Sequence, residues 1–153
     1  MSTLCELLDE KCLIPTLSSI TRDSAIYELI KPFVDLNYIS KEDSLKIAQS
    51  IIFREKSATT GLGKGIAVPH SKHFLVPKTM ISIGCSSQGI DFSSRDGALV
   101  HTVVLVLNPA FDIDHHLSIM EIAFRFLEKE ESRMLLRKAS TSKAMLDVIC
   151  QQK

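Results

Sequence analysis

One histidine in the sequence is preceded by a run of residues suited to binding a phosphate group. His70 ends the segment TTGLGKGIAVPH, in which three glycines alternate with other residues. Alternating glycines permit positive φ angles, and successive N–H groups in such a turn can form an anion-binding concavity. A neutral imidazole is a good nucleophile toward a phosphoryl group, and its ordinary pKa of about 6.5 leaves much of it unprotonated at neutral pH. The predicted phosphoryl-binding loop consists of Thr59, Thr60, Gly61, Gly63 and Gly65.

The glycine-rich segment fits neither of the two common nucleotide-binding motifs. The pattern G-x-x-x-x-G-K-[ST] of a P-loop is absent, and in a dinucleotide-binding fingerprint the third glycine would come later and a helix would follow. Taken alone, the segment is also compatible with a tight loop that joins a helix to a strand. The pattern therefore indicates a phosphate-binding turn only in combination with His70.

The residues from Arg54 to His70, REKSATTGLGKGIAVPH, resemble the phosphorylation-site signature of a known family. This is the fructose/mannitol-type enzyme IIA family of the bacterial phosphotransferase system. The later segments QGIDFSSRDGALVHTVVLVLNP and HLSIMEIAFRFL are also similar to it, so the resemblance covers nearly the whole chain. Within the family the chain is most similar to the nitrogen-type regulatory branch. The resemblance implies that His70 carries the phosphoryl group on Nε2 while Nδ1 is bonded to the backbone.

Two residues depart from the usual signature. Lys64 stands where the family often has asparagine, and Ser71 follows the histidine where glycine is frequent. Neither change removes a phosphoryl-accepting atom. Lys64 is expected to add a positive charge near the anion site.

Two further residues are predicted to stabilise the transferring group. Arg54 offers several fixed guanidinium donors to a phosphate, although it could instead form a surface salt bridge with Glu55 or a neighbouring acid. His116 matches the histidine that opens the family's H-L helix, and a helix N-terminus favours anions; the alternative is a capping or surface role. We expect both residues to converge on His70 and to contribute little to stability, because polar residues at an exposed site make few packing contacts. The adjacent His115 is assigned to solvent.

The resemblance implies a phosphotransferase component that works through a covalent phosphohistidine, without a cofactor or metal. The donor would be an HPr-like phosphohistidine protein, and the acceptor an enzyme IIB or a regulatory target. Regulation is favoured over sugar transport because no IIB or membrane domain is attached. Two other hypotheses remain open: a zinc-binding or metal-dependent hydrolase module using His70, His73 and His115 or His116, and an interaction module that is never phosphorylated.

The hydrophobic pattern predicts helices before and after a small sheet. Helices are expected to begin at Thr21 or Asp23 (ending at about Leu36), at Ser40, at Asp112 or Asp114, at about Glu131, and at Thr141 or Ser142. Leu45 is expected on the buried stripe of the second helix and Leu117 on that of the third. Strands are expected at Ile66–Val68, Met80–Cys85 and Thr102–Leu107, with a turn at Asp96–Gly97. The pattern predicts an α/β fold, with residues 1–153 as one layered domain in which helices flank a small mixed sheet.

Composition favours a cytosolic globular protein. The 153 residues are 45% hydrophobic and 24% charged, and eighteen basic residues balance eighteen acidic ones. A net charge of zero argues against nucleic acid or an anionic membrane as the main partner. No apolar run approaches the length of a membrane span, and the N-terminus lacks the pattern of a secretory signal. The four cysteines are scattered and are expected to be small hydrophobic residues rather than a disulfide framework or zinc site.

Overall fold

A mixed β-sheet lies between two layers of helices. A computed structural model describes residues 3–151, so the outermost residues of the expected domain, 1–2 and 152–153, lie outside the described residues. The helices of the described part are α1 (Leu4–Leu7), α2 (Arg22–Asp35), α3 (Lys41–Ser57), α4 (Ile113–Glu128), α5 (Glu130–Lys138) and α6 (Ser142–Gln151). Its strands are β1 (Leu13–Ile14), β2 (Gly61–Gly63), β3 (Ile66–Ala67), β4 (His70–His73), β5 (Met80–Ile90) and β6 (Val100–Pro109). The predicted α/β class with a small mixed sheet is confirmed.

Strand β6 is the centre of the sheet. It pairs antiparallel with β5 and parallel with both β3 and β4, which lie end to end along it. Pro69 sits in the gap between β3 and β4, where its missing amide hydrogen costs no ladder bond, and its carbonyl accepts a hydrogen bond of 3.0 Å from the Val106 amide. His70 opens β4 directly opposite Val106.

Both faces of β6 are covered by helices. Val104 and Val106 pack into a cluster with residues of α4, α5 and α6, whereas Leu105 and Leu107 pack with residues of α2 and α3. All four side chains are almost fully buried. The nearly continuous apolar run in this segment therefore predicted a central strand correctly.

The predicted helix starts are confirmed for the helices before the sheet. The Thr21 hydroxyl accepts a hydrogen bond from the Ser24 amide at 3.2 Å, and the Ser40 hydroxyl accepts one from the Asp43 amide at 3.0 Å. These side chains satisfy amides that have no partner within the helix. Pro32 lies inside α2, which continues to Asp35.

The buried stripes of two helices differ from the predicted ones. Leu45 of α3 is 43% exposed and Leu117 of α4 is 64% exposed, while Ile47 and Ile119 are buried. Each helix carries more apolar residues than its buried face can hold, so the pattern fixes the face only to within one position. The helices are correct, but the predicted placement of Leu45 and Leu117 is wrong.

The cysteines divide into two kinds. Cys12 and Cys85 are buried and free, as expected, and burial raises the pKa of each thiol to about 11. Cys5 and Cys150 form a disulfide that joins α1 to α6. The expectation that none of the four would pair is wrong, because the contact between these two helices is invisible in the linear sequence. Over the range 3–151, no helix has both the length and the apolar character that a bilayer span requires.

Candidate active site

The glycine-rich segment forms a hairpin that supports the site from one side. Gly61 of β2 pairs with Ala67 of β3, and its backbone approaches Ser94 so closely that a Cβ atom would collide with that side chain. Gly63 has a φ of 102°, which strongly favours glycine. The turn of the hairpin therefore depends on its glycines, as the sequence indicated.

The hairpin amides, however, are largely occupied within the protein. The amides of Thr60, Gly61 and Lys64 donate to the side chains of Glu55, Thr59 and Asp96, respectively. Gly65 accepts hydrogen bonds from the amides of His101 and Thr102, at the start of β6. Thr102 and Val106, the partner of His70, are four positions apart along β6, which is a distance of about 13 Å.

Two expectations are thereby corrected. These three amides are not available to a phosphoryl group, and the turn that carries Lys64 and Gly65 lies away from His70. Lys64 occupies the left-handed region, with a φ of 59°, a conformation that asparagine tolerates better than most residues. The glycines thus shape the hairpin, and its Thr60 end is the end that bonds closest along the chain to His70, where the Val68 amide donates to the Thr60 carbonyl at 3.3 Å.

His70 is held in one orientation by the backbone. Its Nδ1 lies 2.8 Å from the carbonyl oxygen of Val68. Because a carbonyl oxygen can only accept, Nδ1 carries the ring hydrogen, and the neutral ring keeps a lone pair on Nε2. Nε2 is therefore the nitrogen of the half-buried His70 ring that could act as a nucleophile.

The environment keeps His70 uncharged. Burial lowers the pKa of the imidazole below its ordinary value, because the charged form loses hydration. The bond to Val68 and the negative charge of Glu55 oppose this shift in pKa, whereas the positive charges of Arg54 and Lys72 add to it. His70 is accordingly neutral at pH 7, the form that can attack a phosphoryl group.

His116 lies next to His70 in the fold. It belongs to the first turn of α4, is only 5% exposed, and its ring centroid is 5.5 Å from that of His70 with the planes inclined by 40°. Its Nδ1 lies 2.6 Å from Oδ1 of Asn108, a fully buried residue near the end of β6. The Asn108 amide nitrogen in turn donates to the Thr79 hydroxyl at 2.7 Å.

His116 is also neutral. Burial is the main cause that lowers its pKa to about 4, and His70, when that ring is protonated, together with the positive charges of Lys72 and Arg54 lowers this pKa further. A charged imidazole at this position would be poorly hydrated and would face other cations. The site thus holds two uncharged imidazole rings beside two permanent positive charges.

Arg54 supplies one of those charges. It lies in the last turn of α3, is exposed, and within residues 3–151 its side chain forms neither a hydrogen bond nor an ion pair, so the surface salt bridge with Glu55 is not formed. Its positive charge lowers the pKa of both His70 and His116. The guanidinium is consequently free to bind an anion at this site.

Four neighbours of the site were not singled out from the sequence. Glu55 is 4% exposed and accepts hydrogen bonds from both the amide and the hydroxyl of Thr60, which anchors the hairpin to α3. Lys72 follows His70 by two residues in β4, and alternate residues of a strand share a face. Two weak signals could have indicated them: Glu55 is adjacent to Arg54 in the sequence, and Lys72 comes two residues after His70 in the segment HSK. Asn108 and Thr79 carry no such signal.

The other histidines lie outside this arrangement. His73 stacks on Phe74, His101 bonds to the Ser86 carbonyl, and the exposed His115 bonds to Asp112. His115 is therefore exposed to solvent, as expected. Among the described residues no three His, Cys, Asp or Glu side chains are grouped so that they could hold a metal ion.

Comparison with known proteins places this chain in a family. Residues 6–152 match the model described as phosphoenolpyruvate-dependent sugar phosphotransferase system, EIIA 2. The chain is 31% identical over 131 residues to the fructose-specific EIIA component of the phosphotransferase system of Haloferax volcanii, a match covering 86% of this chain and 84% of that one.

Two solved structures have the same fold. The nitrogen regulatory protein IIA-Ntr of Neisseria meningitidis superposes with a TM-score of 0.84 at 19% identity, covering 95% of this chain and 98% of that one. Enzyme IIA-mannitol of Escherichia coli, in its complex with phosphorylated enzyme IIB-mannitol, has a TM-score of 0.77 at 19% identity, covering 95% and 98%. The chain thus belongs to the type-2 enzyme IIA family of the phosphoenolpyruvate-dependent phosphotransferase system.

Proposed function

We propose that this protein is a phosphocarrier that accepts a phosphoryl group on Nε2 of His70 and passes it to another protein. The observation that supports this most directly is the hydrogen bond of 2.8 Å between Nδ1 of His70 and the Val68 carbonyl. It fixes the tautomer, so that the lone pair is always on the same nitrogen. A nucleophile held in this way needs no reorganisation before it attacks.

Arg54 and His116 stabilise the group during transfer. Phosphoryl transfer between two histidines is nearly isoenergetic and demands mainly positioning and stabilisation of the negative charge on the phosphoryl oxygens. Arg54 has an unoccupied guanidinium, and its positive charge acts on both rings. His116 is the nearest ring to His70 and offers a second polar contact to the same oxygens.

The donor is an HPr-like phosphohistidine protein. A protein donor is favoured over a small one because large apolar side chains are exposed on the segments that carry the site residues. Phe53 precedes Arg54, Phe74 follows β4, and Phe111 joins β6 to α4; their exposed fractions are 75%, 80% and 86%. Exposed aromatic residues grouped around polar groups are typical of protein-binding surfaces.

We propose a regulatory target as the acceptor, in line with the nitrogen-type likeness of the sequence. The rival hypothesis is a sugar-specific enzyme IIA that phosphorylates an enzyme IIB, which is favoured by the 31% identity to a fructose-specific component. Incubation of the phosphorylated protein with fructose-type and mannitol-type enzymes IIB separates the two. Rapid loss of phosphoryl to either IIB, at rates comparable with uptake, would establish the sugar branch and exclude the regulatory one.

The phosphocarrier proposal is tested with phosphoenolpyruvate, enzyme I and HPr. Intact-mass measurement should show one added phosphoryl group that is lost in acid and does not require ATP or a metal ion. His70→Ala should abolish the uptake, while His73→Ala, which changes a histidine of the same strand, should leave it intact. Uptake that persists in His70→Ala would refute the proposal.

A further inference from the structure

Asn108 is an unexpected residue in the most buried strand of the protein. It follows the apolar run from Val103 to Leu107 in β6 and is 0% exposed. Burying an amide side chain is unfavourable unless both its ends are hydrogen-bonded. Here both ends are used, by His116 at 2.6 Å and by Thr79 at 2.7 Å.

The two bonds determine which nitrogen of His116 carries the hydrogen. The amide nitrogen of Asn108 donates to the Thr79 hydroxyl, which leaves its carbonyl oxygen facing Nδ1 of His116. A carbonyl oxygen only accepts, so Nδ1 must be protonated, and a neutral ring then has a bare lone pair on Nε2. In this state His116 cannot donate a hydrogen bond from Nε2 to a phosphoryl oxygen.

We propose that Asn108 is a positioning residue that holds His116 in its Nδ1–H tautomer, so that Nε2 binds a proton when His70 is phosphorylated and donates it in a hydrogen bond to the phosphoryl group. This inference rests on the proposed phosphocarrier function. In the step itself, the N–P bond of the donor breaks and its electron pair stays on the donor nitrogen, while the lone pair on Nε2 of His70 forms the new N–P bond. The group is transferred with one net negative charge: because His70 keeps its Nδ1 hydrogen, the product is a phosphoryl dianion on a ring that has gained one positive charge. A proton from solvent, bound by the lone pair of His116 Nε2, balances the net negative charge.

The charges around His116 explain why the proton binds only after phosphorylation. Burial, and then the positive charges of Lys72 from β4 and Arg54 from α3, disfavour a positive charge on His116, and His70 does so whenever its own ring is protonated. On its own helix, the nearby Asp112 is bonded to His115, and the only other acidic residue of the first turn is Asp114. A phosphoryl dianion on His70 reverses this balance, because an opposite charge within about 4–6 Å favours the charged imidazole.

The first part of the test uses the unphosphorylated full-length protein. Two-bond ¹H–¹⁵N correlation spectra of the histidine rings report which ring nitrogen is protonated. We expect His116 to show a protonated Nδ1 and a bare Nε2 at pH 7. A spectrum with the hydrogen on Nε2, which the reverse orientation of the Asn108 amide would produce, overturns the proposal.

The second part records the same spectra after phosphorylation at pH 7. Both ring nitrogens of His116 should then be protonated. A pH-stat titration should show that this protein takes up about one proton for each phosphoryl group that it accepts. Phosphoramidate serves as a second donor that needs no protein partner. Failure with HPr but success with phosphoramidate would count against the proposed carrier function alone, whereas an uncharged His116 beside phospho-His70 would overturn the role of Asn108.

Variants separate positioning from packing. In Asn108→Asp the carboxylate still accepts from Nδ1, but its charge should make His116 doubly protonated before phosphorylation, so proton uptake should disappear while transfer continues. In Thr79→Val, which keeps the shape of the side chain, the amide loses its acceptor, and a mixture of the two His116 tautomers should appear. If both variants show the same ring spectra and proton uptake as the unmodified protein, Asn108 does not position His116.

Discussion

The rings of His70 and His116 face each other with centroids 5.5 Å apart, and each has its Nδ1 bonded to an acceptor of the sheet region, the Val68 carbonyl for one and the Asn108 amide for the other. Both rings are therefore held so that Nε2 is the unbonded nitrogen. His70 opens a strand, however, and is half-buried, whereas His116 lies beneath it in the helix layer. The more accessible ring suits the nucleophile, and the buried one suits a group that stabilises the transferred charge.

Replacing Arg54 with alanine should slow phosphoryl transfer by roughly 10²–10³-fold, by analogy with the loss of a donor from an oxyanion site. Stability should change little, because the exposed guanidinium makes no hydrogen bond or ion pair within the described residues. A transfer time course and a thermal melt measure the two effects. Lys56→Ala removes another exposed positive charge of α3 and should leave the rate near normal; equal rates for both variants would contradict the role of Arg54.

His116→Ala should reduce both transfer and stability. The sequence suggested an exposed residue with little effect on stability, but the side chain is buried and its loss leaves the side-chain carbonyl oxygen of Asn108 without a hydrogen-bond donor. An unsatisfied buried acceptor costs about 1–3 kcal/mol, which urea unfolding can detect. His115→Ala alters the exposed neighbour and should cost far less; a similar loss in both variants would argue that the helix start, and not the buried contact, is responsible.

Glu55→Gln should weaken the anchor of the hairpin and change the titration of His70. Glutamine can accept one of the two hydrogen bonds from Thr60 but lacks the charge that strengthens them. Since the negative charge of Glu55 raises the pKa of His70, its removal should lower that pKa further, which ring NMR measures directly. Glu42→Gln removes the charge of an exposed residue that forms an ion pair with Lys46. It is the control and should leave the pKa of His70 unchanged.

Stability should decrease in acid because of His116. Its pKa is about 4 in the folded protein and about 6.5 when exposed, so between these values the unfolded chain binds more protons and the free energy of unfolding falls as the pH drops. The contribution of His116 is complete above pH 6.5 and is lost progressively toward pH 4. Urea unfolding at several pH values should show that the free energy of unfolding depends less steeply on pH in His116→Gln than in the unmodified protein. An equal dependence on pH in the two proteins would mean that His116 does not titrate in this way.

The sequence predicted the features of the site that depend on local pattern. The helix caps at Thr21 and Ser40, the central strand and the turn before it follow from residue types within a few positions, and the structure confirms them. The adjacency of His70 and His116 was anticipated only through the resemblance of the HL segment to a known helix. Pattern alone could not have related them, because they are far apart in the sequence and only the tertiary fold brings the two rings together.

The features that the sequence did not predict depend on contacts between distant segments. Asn108 looks like the polar end of a strand, and only the parallel register of β4 with β6 and the start of α4 bring it against His116. The glycines looked like an anion-binding loop, yet the groups that occupy their neighbouring amides include Asp96, far along the chain. Residue types determine which conformations a backbone segment can adopt, whereas its hydrogen-bonding partners determine whether its amides remain available to a ligand.

The disulfide between Cys5 and Cys150 changes the covalent connectivity of the chain. It closes the intervening residues, a sequence separation of 145, into a single ring that contains the whole sheet and the His70 site. Closing so long a loop removes conformational freedom from the unfolded chain, which in the loop-entropy description corresponds to about 5 kcal/mol. A single proteolytic cut inside the ring leaves both fragments attached, so a nicked molecule would migrate as one species until a reductant separates it into two.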